Sequence, residues 1–434
     1  MVKSYAGVYL EVDLTKETTK KIQYDINTLR KYLGGTALGA KTLYEQVPRD
    51  IEYNDPRNTV FIGTGPLTGT SIGGSGTISI VTKGALTGGA TSTQANGLFG
   101  AYLKFSGFDG VILKGQAENW KYLELKNGKA ILHGASQLQY LDTYQTTDKL
   151  REIHGSKNRS ASILSIGPAG ENQVKWAGTF IDHGHSASHN GSGAVIGSKH
   201  LKAIIAFRGD SHIPVHDREK LQKISQKMYE DVEYFTGTIG SVATMWKSQN
   251  GALPVKNYST YNWGLPREDT EKYAEKTLRE KYQTQRIPCW NCRLLHSTMF
   301  QIKEGPYKCH VEEPEYEQMA AWGPLTGITD PEATMMLSGL TDRLGLDNNE
   351  AGWIVAWVME GMEQGWLTEK QVGFKTGFGD PKAAKNLLHM ITNREGFGDQ
   401  LAEGVKRASQ QLGGEAAKAA IYTRKGNTPR GHDH

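Results

Sequence analysis

The alternation of apolar and polar residues changes character near residue 208. Before this point, apolar runs are short or alternate with a period of two, which is typical of β-strands. Two predicted helices, at residues 26–33 and 38–47, interrupt this β-rich part of the chain. The pair Asn127–Gly128 favours a tight hairpin between two of the strands. Strands are predicted at residues 5–14, 60–63, 77–82, 110–114, 121–125, 129–132 and 201–207.

After residue 216 the apolar residues recur with a helical period. Asp217 is placed to cap a helix that extends to about residue 235, with Leu221, Ile224, Met228 and Val232 along one apolar stripe. Further helices are predicted at residues 336–344, 350–365, 382–393 and 400–412, and no internal repeat of fixed period is visible. The pattern predicts an α+β protein in which a β-rich domain precedes an all-helical domain.

The composition is that of an ordinary soluble globular protein, with 38% hydrophobic and 22% charged residues among 434. The net charge of +4 is small and no basic run occurs, so we expect no nucleic-acid partner. No apolar run is long enough to span a membrane, and the first residues lack the features of a signal peptide. Three cysteines cannot form a disulfide framework, and a cytoplasmic location is expected.

Glycine is enriched, with 51 residues, and several glycines lie between predicted strands. Residues 63–69 resemble a dinucleotide-binding loop, but Pro66 interrupts it and a strand rather than a helix follows. Residues 191–199 miss the phosphate-binding loop pattern, because Lys199 does not directly follow the second glycine. These segments are either turns of a compact β-domain or loops whose exposed backbone N–H groups bind phosphate.

The segment Cys289-Trp-Asn-Cys292-Arg-Leu-Leu-His296 indicates metal or redox chemistry. An iron–sulfur cluster, a zinc site and a pair of ordinary buried thiols are the three interpretations. The sequence around His183, His185 and His189 offers a further candidate metal site, although no carboxylate or cysteine stands at ligand spacing.

Several motifs occur in the order and spacing seen in the aldehyde:ferredoxin oxidoreductase family, which the whole chain resembles. These motifs are Gly65-Pro-Leu-Thr-Gly-Thr-Ser71, Val81-Thr-Lys83, Ala85-Leu-Thr-Gly88, Phe99-Gly-Ala-Tyr-Leu-Lys-Phe105, Ser165-Ile-Gly-Pro-Ala-Gly-Glu-Asn172, Gly193-Ala-Val-Ile-Gly-Ser-Lys-His-Leu-Lys-Ala203, Asp342-Arg-Leu-Gly-Leu-Asp347 and Arg394-Glu-Gly-Phe-Gly-Asp399.

The resemblance implies a tungsten or molybdenum ion held by two pyranopterins on the β-rich platform, with Mg²⁺ allowed between the pterin phosphates. It implies that seven residues approach the phosphates, namely Gly76, Thr77, Asn96, Gly97, His189, Asn190 and Gly191. It also implies that Asp342, Leu346 and Asp347 contact a pterin ring. The family usually has Arg at positions 77 and 189 and Asn at position 94, where this chain has Thr77, His189 and Gln94.

By the same resemblance, Cys289, Cys292 and the residue at position 296 ligate a four-iron, four-sulfur cluster. His296 stands where the family has a third cysteine, and imidazole can replace thiolate on iron. Cys309 could complete the cluster, ligate tungsten, or be a simple buried thiol. Glu317, at the end of Glu313-Pro-Glu315-Tyr-Glu317, would be the catalytic carboxylate beside the metal.

The resemblance implies oxidation of an aldehyde to a carboxylic acid, with electrons leaving through the cluster to ferredoxin or a ferredoxin-like subunit. The alternatives are a tungsten-dependent aryl-CoA reductase of the benzoyl-CoA type, with an acyl-CoA substrate, and a structural subunit without cofactor. We expect an oligomer with a platform domain at residues 1–210 and a helical domain at 211–415. Residues 416–434 are expected to begin a third domain that the chain lacks and that a separate chain could supply.

Overall fold

A computed structural model describes residues 3–157, 159–230, 253–293 and 297–429 of the protein. The described residues divide into two compact units. Residues 3–157, 159–173, 177–230 and 288–293 form the first unit, and residues 174–176, 253–287 and 297–429 form the second. Both units mix sheets with helices, so the predicted α+β class is confirmed.

The first unit contains two six-stranded sheets and several helices. Its strands are β1 (Tyr9–Asp13), β2 (Thr18–Ile22), β3 (Val60–Thr64), β4 (Ile78–Lys83), β5 (Ala90–Ala95), β6 (Gly110–Lys114), β7 (Lys121–Lys126), β8 (Lys129–Gly134), β9 (Ala161–Ser165), β10 (Thr179–Ile181), β11 (His185–Ala187) and β12 (Leu201–Phe207). Its α-helices are α1 (Ile26–Tyr32), α2 (Gly35–Gln46), α3 (Phe99–Phe105), α4 (Thr143–Ile153), α5 (Pro168–Glu171), α6 (Ser192–Ser198) and α7 (Arg218–Glu230). Two 3₁₀ turns lie at Ser136–Leu138 and His189–Gly191.

The two sheets have the same topology, which the sequence did not reveal as a repeat. The strand order is β2-β1-β6-β3-β4-β5 in the first sheet and β8-β7-β12-β9-β10-β11 in the second. The second order is the first with six added to each strand number. In both sheets the one parallel pair joins the first and the last strand in chain order, β1 with β6 and β7 with β12. A helix precedes the last strand each time, α3 before β6 and α6 before β12.

Both of these helices lie so close to a neighbouring loop that only glycine fits. A Cβ atom on Gly100 of α3 would lie 2.4 Å from the carbonyl oxygen of Gly76, just before β4. A Cβ atom on Gly193 of α6 would lie 2.1 Å from the carbonyl oxygen of Gly178, just before β10. Real Cβ atoms do not approach a backbone oxygen so closely, so both repeats use glycine for the same backbone-to-backbone contact.

Apolar side chains on each sheet form the cores of the first unit. In the first sheet Phe61, Val81 and Ile112 pack with Leu38 of α2, and all four are buried. A separate cluster on the second sheet includes Tyr122, Ile163, Ile205 and Leu150 of α4. Strands β6 and β12 are buried along almost their whole length, as expected for the apolar runs from which they were predicted, and strands 110–114 and 201–207 are confirmed with the predicted bounds.

The hairpin predicted at Asn127–Gly128 is also confirmed. The two residues have φ angles of 47° and 73°, and the flanking strands β7 and β8 pair antiparallel with Lys126 opposite Lys129. Positive φ at both central residues is the geometry of a type I′ turn, which matches the right-handed twist of the strands it connects.

The second unit is mainly helical but also contains a three-stranded antiparallel sheet. Its helices are α8 (Arg267–Thr270), α9 (Glu275–Tyr282), α10 (Tyr316–Trp322), α11 (Pro331–Leu344), α12 (Asn348–Gln364), α13 (Glu369–Val372), α14 (Pro381–Asn393), α15 (Phe397–Ala402), α16 (Val405–Leu412) and α17 (Gly414–Ala419), with a 3₁₀ turn at Glu271–Tyr273. Its strands are β13 (Gln283–Arg286), β14 (Thr298–Ile302) and β15 (Cys309–Glu312). The prediction of an all-helical second domain is therefore wrong in this detail.

Two helix predictions need correction. The predicted helix at residues 400–412 is divided at Gly404 into α15 and α16. Asp217 does cap α7, accepting a hydrogen bond from the backbone N–H of Lys220 at 2.9 Å. The predicted apolar stripe of α7 is not buried, however, because Ile224 and Met228 are 46% and 42% exposed. Val232 lies outside the described residues.

None of the helices in the described part of the chain combines the length and the apolar character that crossing a membrane requires.

We expect Gly193→Ala to destabilise the first unit by about 2 kcal/mol or more, because the added methyl group would force the α6 backbone away from Gly178. The roughly 1 kcal/mol by which alanine favours a helix over glycine does not offset such a clash. Urea denaturation followed by circular dichroism measures the change. Gly134→Ala is the matched control, because a methyl group there meets none of the described atoms within 4 Å. Equal stability of the two variants would contradict the close contact.

Candidate functional site

The residues predicted to approach phosphate lie in the first unit, in loops beside β4 and β5 and in the turn before α6. Gly76 and Thr77 precede β4, Asn96 and Gly97 follow β5, and the 3₁₀ turn His189–Gly191 precedes α6. The turn reaches the first sheet, because a Cβ atom on Gly84 would lie 2.7 Å from the carbonyl oxygen of Asn190. The turn and the two loops therefore lie at opposite ends of the β4–β5 hairpin, because Gly84 follows β4, whereas Gly76 and Thr77 precede β4 and Asn96 and Gly97 follow β5.

The two loops of the first sheet contact each other directly. Thr77 donates a hydrogen bond from its hydroxyl group to the side-chain oxygen of Asn96. A Cβ atom on Gly76 would lie 2.1 Å from the carbonyl oxygen of Gly97, and Gly97 itself has a φ of 105°. Backbone therefore approaches backbone at this point, and the loop surface is made of peptide groups rather than side chains. Such a surface suits a phosphate group, which binds exposed N–H groups.

Asn190 provides an observation that points to a ligand. Its φ is 64°, in the left-handed region, and its side-chain oxygen is buried without a hydrogen-bond partner in the described structure. A buried acceptor without a donor is costly, by about 1–3 kcal/mol. A ligand N–H group or a metal-bound water would supply the missing donor. This oxygen therefore fits a polar ligand with a hydrogen-bond donor, bound at the end of the hairpin where Gly84 follows β4.

The cysteine turn belongs to the same unit and is fixed to the glycine-rich loops. The N–H of Cys292 donates to the carbonyl oxygen of Cys289 at 3.1 Å, which closes the turn. The N–H of Trp290 donates to the carbonyl oxygen of Gly97 at 3.0 Å, and its indole N–H donates to the carbonyl oxygen of Thr70 at 3.1 Å. Cys289 is buried and Cys292 is half-buried. Two soft thiols in one turn are a donor set that fits an iron–sulfur cluster.

His296, the predicted third ligand, lies outside the described residues. Cys309 belongs to the second unit, whereas Cys289 and Cys292 belong to the first. Throughout residues 3–157, 159–230, 253–293 and 297–429, no three His, Cys, Asp or Glu side chains are grouped closely enough to hold a metal ion. The hypothesis of a separate metal site made by His183, His185 and His189 is therefore not supported.

Two of these histidines have other partners. The Nε2 atom of His183 lies 2.8 Å from a carboxylate oxygen of Asp148, and its ring packs against Tyr144 with 4.9 Å between ring centroids. The Nε2 atom of His185 lies 3.8 Å from the Sγ atom of Cys289. His185 therefore belongs with the cysteine turn, a neighbour that the sequence spacing did not indicate.

In the second unit the fold connects the predicted catalytic helix with the predicted pterin-ring residues. Glu317 lies in the first turn of α10, and the next residue, Gln318, donates a hydrogen bond to Asp342 at 3.0 Å. Asp347 caps α12 by accepting from the N–H of Asn349 at 2.9 Å. Leu346 is fully buried beside it. Glu317, Asp342, Leu346 and Asp347 are thus parts of one region.

Asp342 is a buried carboxyl group. It also accepts a hydrogen bond from the side chain of Asn348 at 2.8 Å. Burial raises the pKa of Asp342 well above its usual value, and the nearby carboxylate of Glu312 raises it further. A ligand that donates N–H groups would favour the ionised form and lower this pKa again.

Glu313 is a candidate site residue that the sequence analysis quoted within a motif but did not select. One oxygen, Oε1, accepts from Arg279 at 2.7 Å, while Oε2 is buried without a hydrogen-bond partner among the described residues. Burial raises the pKa of Glu313 to about 7, and the ion pair with Arg279 offsets only part of this effect. A carboxyl group with a pKa near 7 can both hold and release a proton at neutral pH.

Cys309 lies on β15, opposite Ile302 of β14, and packs against the hydrophobic core of the second unit. Burial raises the pKa of its thiol to about 11. A neutral thiol against an apolar core favours the third interpretation of this residue, a buried packing thiol.

Two family models match most of the chain. The family model described as "Aldehyde ferredoxin oxidoreductase, N-terminal domain" matches residues 9–208. The model described as "Aldehyde ferredoxin oxidoreductase, domains 2 & 3" matches residues 219–434. The chain belongs to the aldehyde ferredoxin oxidoreductase family. It is therefore an oxidoreductase of that family, and the resemblance noted in the sequence is confirmed.

Two relatives from Pyrococcus furiosus illustrate the similarity. One is named tungsten-containing aldehyde ferredoxin oxidoreductase, is 32% identical over 420 residues, and is matched over 94% of this chain and 67% of its own length. The other is named aliphatic sulfonate oxidoreductase, WOR-like subunit, is 31% identical over 449 residues, and is matched over 97% of this chain and 70% of its own length.

The fold is also that of a solved structure, the active site complex BamBC of benzoyl coenzyme A reductase in complex with 1,5-dienoyl-CoA. The TM-score is 0.89, and the match covers 100% of this chain and 67% of that chain. The sequence identity is 24%, so this likeness concerns the fold. The comparison does not support the expectation that a third domain begins only at residue 416, because the model of domains 2 and 3 matches residues 219–434. The chain spans about two thirds of the length of the relatives it matches.

We expect Glu313→Gln to change how stability depends on pH. Because the pKa of Glu313 is raised from 4.5 to about 7 in the folded chain, its stabilising contribution is present below pH 4.5 and is lost as the pH rises through 7. The variant should lack this loss, so its melting temperature should fall less than that of the wild type between pH 4.5 and 7. Thermal melts at several pH values measure the difference, with Glu304→Gln, an exposed residue between β14 and β15, as control. Parallel profiles for wild type and variant would contradict the shift.

Proposed function

We propose that the chain is the catalytic part of a tungsten–pterin oxidoreductase that converts an aldehyde to a carboxylic acid and passes the electrons through an iron–sulfur cluster to ferredoxin or a ferredoxin-like subunit. The observation that carries the proposal is the hydrogen bond of 3.0 Å between Trp290 in the cysteine turn and Gly97 in the predicted phosphate loop. This contact supports the proposal, because it joins the turn that carries Cys289 and Cys292 to the loop proposed to bind the pterin phosphates, and electron transfer requires the two cofactors to be close. The relative named as a tungsten-containing aldehyde ferredoxin oxidoreductase supports the choice of metal and substrate.

The residues that would hold the pterin cofactor are those that the family resemblance names. The loops with Gly76, Thr77, Asn96 and Gly97, and the turn with His189, Asn190 and Gly191, would bind its phosphates, with Mg²⁺ between them. Asp342, Leu346 and Asp347 would contact a pterin ring. When bound, the cofactor would supply the two-electron chemistry that no side chain provides.

Cys289 and Cys292 would ligate the cluster, with His296 as the proposed third ligand. Cys309 is partly buried and packs against the hydrophobic core of the second unit, so we propose a packing role for it. Loss of metal on mutation of Cys309 would instead identify it as a ligand. Molybdenum in place of tungsten would leave these assignments unchanged, since both metals take the same soft sulfur ligands.

The carboxylates of the second unit would move protons. Conversion of an aldehyde and water to a carboxylic acid releases two electrons and two protons. Glu317 would accept a proton from the attacking water as a general base. Glu313 lies four residues before Glu317 in the sequence. With its buried Oε2 atom and a pKa of about 7, it would hold a proton during the reaction. Water for this step would reach Glu317, which is half-buried rather than enclosed.

An electron-transfer partner is part of the proposal. One relative carries the word subunit in its name, and the solved structure of the same fold is a complex. We therefore propose that the chain works in an oligomer with a ferredoxin-like subunit in the cytoplasm.

Metal analysis of the anaerobically purified chain tests the proposal. We expect tungsten together with about four irons per chain. A chain without metal would contradict the proposal and support a structural subunit instead. Reduction of a viologen dye should then depend on an added aldehyde. Activity with an aryl-CoA ester and none with aldehydes would favour the reductase function over aldehyde oxidation.

We expect Glu317→Gln to lower the aldehyde-dependent rate by about 100-fold or more, because the amide cannot accept a proton. Tungsten and iron contents should stay at the wild-type values, since Glu317 is not a proposed ligand. Steady-state viologen reduction and metal analysis of the same preparation measure both quantities, with Glu304→Gln as control. A wild-type rate in Glu317→Gln would remove this residue from the proposed mechanism.

A further inference from the structure

His185 contacts the cysteine turn within the first unit and has no role in the function proposed above. Its Nε2 atom lies 3.8 Å from the Sγ atom of Cys289, within hydrogen-bond range for a sulfur acceptor. Sulfur accepts longer hydrogen bonds than oxygen does, and a thiolate accepts more strongly than a thiol.

The position of His185 is fixed by the sheet. The residue begins β11, where it pairs with Ile181 of β10. Its ring packs against Gly97, because a Cβ atom on that glycine would lie 2.7 Å from the Cδ2 atom of His185. Any side chain at position 97 would displace the imidazole, so the glycine leaves the space through which His185 reaches Cys289.

The position of Cys289 is fixed by the same loop. The N–H of the next residue, Trp290, donates to the carbonyl oxygen of Gly97 at 3.0 Å. The ring of Trp290 packs edge-on against Phe105 with 5.0 Å between centroids. Gly97 therefore holds both partners, the imidazole by contact and the cysteine turn by a hydrogen bond. The distance between His185 and Cys289 is thus set by rigid backbone on both sides.

We propose that His185 is a positioning residue that donates a hydrogen bond from Nε2 to the Cys289 thiolate and raises the reduction potential of the cluster bound there. The inference rests on the proposed function, which supplies the cluster. A donor to a ligating sulfur stabilises the more negatively charged reduced cluster and so raises the potential. Because Cys289 is only 9% exposed, water competes weakly for the sulfur and the hydrogen bond has a large effect.

Three variants of the full chain, purified anaerobically with their metals, test the inference. His185→Ala removes the donor. His185→Gln restores an N–H group at nearly the same distance from the backbone. His183→Ala is the matched control, because this half-buried histidine lies two residues away and contacts Asp148 and Tyr144 instead of the cysteine turn.

The readouts are iron content and the midpoint potential of the cluster, from a redox titration followed by electron paramagnetic resonance. At a fixed potential we expect about tenfold less reduced cluster in His185→Ala, which is a shift of about 59 mV for a one-electron couple. His185→Gln should lie near the wild type, and His183→Ala should equal it. Loss of iron from a folded His185→Ala chain, with iron kept in His185→Gln, would support the same role.

A wild-type potential in His185→Ala with full iron content would overturn the inference. So would equal loss of iron from the alanine and glutamine variants, since glutamine keeps the donor. Absence of iron from the wild-type chain itself would instead overturn the proposed cluster, and the metal analysis distinguishes this outcome from the others. Far-UV circular dichroism of each variant confirms that the compared chains are folded.

Discussion

The first unit depends on the close approach of two helices to the loops beside them. In each six-stranded repeat the helix before the last strand lies directly on a backbone carbonyl group, through Gly100 in one repeat and Gly193 in the other. These contacts fix where each loop ends and the next strand begins. Gly76, the partner of Gly100, is also the residue that contacts Gly97. The packing of the repeat and the shape of the candidate phosphate site are therefore set by the same glycines.

This constraint explains how a site can form from distant segments. The loops at Gly76 and Gly97, the histidines before α6 and the cysteine turn are far apart in the sequence but share hydrogen bonds within one unit. The bond from the N–H of Trp290 to the carbonyl oxygen of Gly97 joins backbone to backbone, as does the close contact of Gly76 with Gly97. A binding surface made of peptide groups is rigid before the ligand arrives, which lowers the entropy lost on binding.

Short sequence patterns were sufficient to predict those elements whose structure depends on neighbouring residues in the chain. Short apolar runs predicted strands 110–114 and 201–207, and turn chemistry predicted the hairpin at Asn127–Gly128. The repeated sheet was not visible in the sequence. Two sheets can share a strand order when the same strand positions are buried, even though the residues at those positions differ. The sheet of the second unit was missed because β13, with sequence Gln-Thr-Gln-Arg, is polar and exposed throughout. The apolar stripe on α7 was predicted correctly as a pattern but not as a buried face, because periodicity does not indicate what packs against a helix.

The sequence motifs proposed backbone and ligand residues for the candidate site. They did not indicate which acidic side chains are buried and therefore have a raised pKa. Sequence alone does not tell which acid in Glu313-Pro-Glu315-Tyr-Glu317 is buried, because the ion pair with Arg279 spans 34 positions. Burial raises the pKa of Asp342 well above its usual value and raises that of Glu313 to about 7, and both residues belong to the second unit. The first unit, by contrast, contributes thiols, imidazole and peptide groups. In the proposed reaction the electrons would pass through groups of the first unit, while the protons would be held by acids whose pKa the core of the second unit raises.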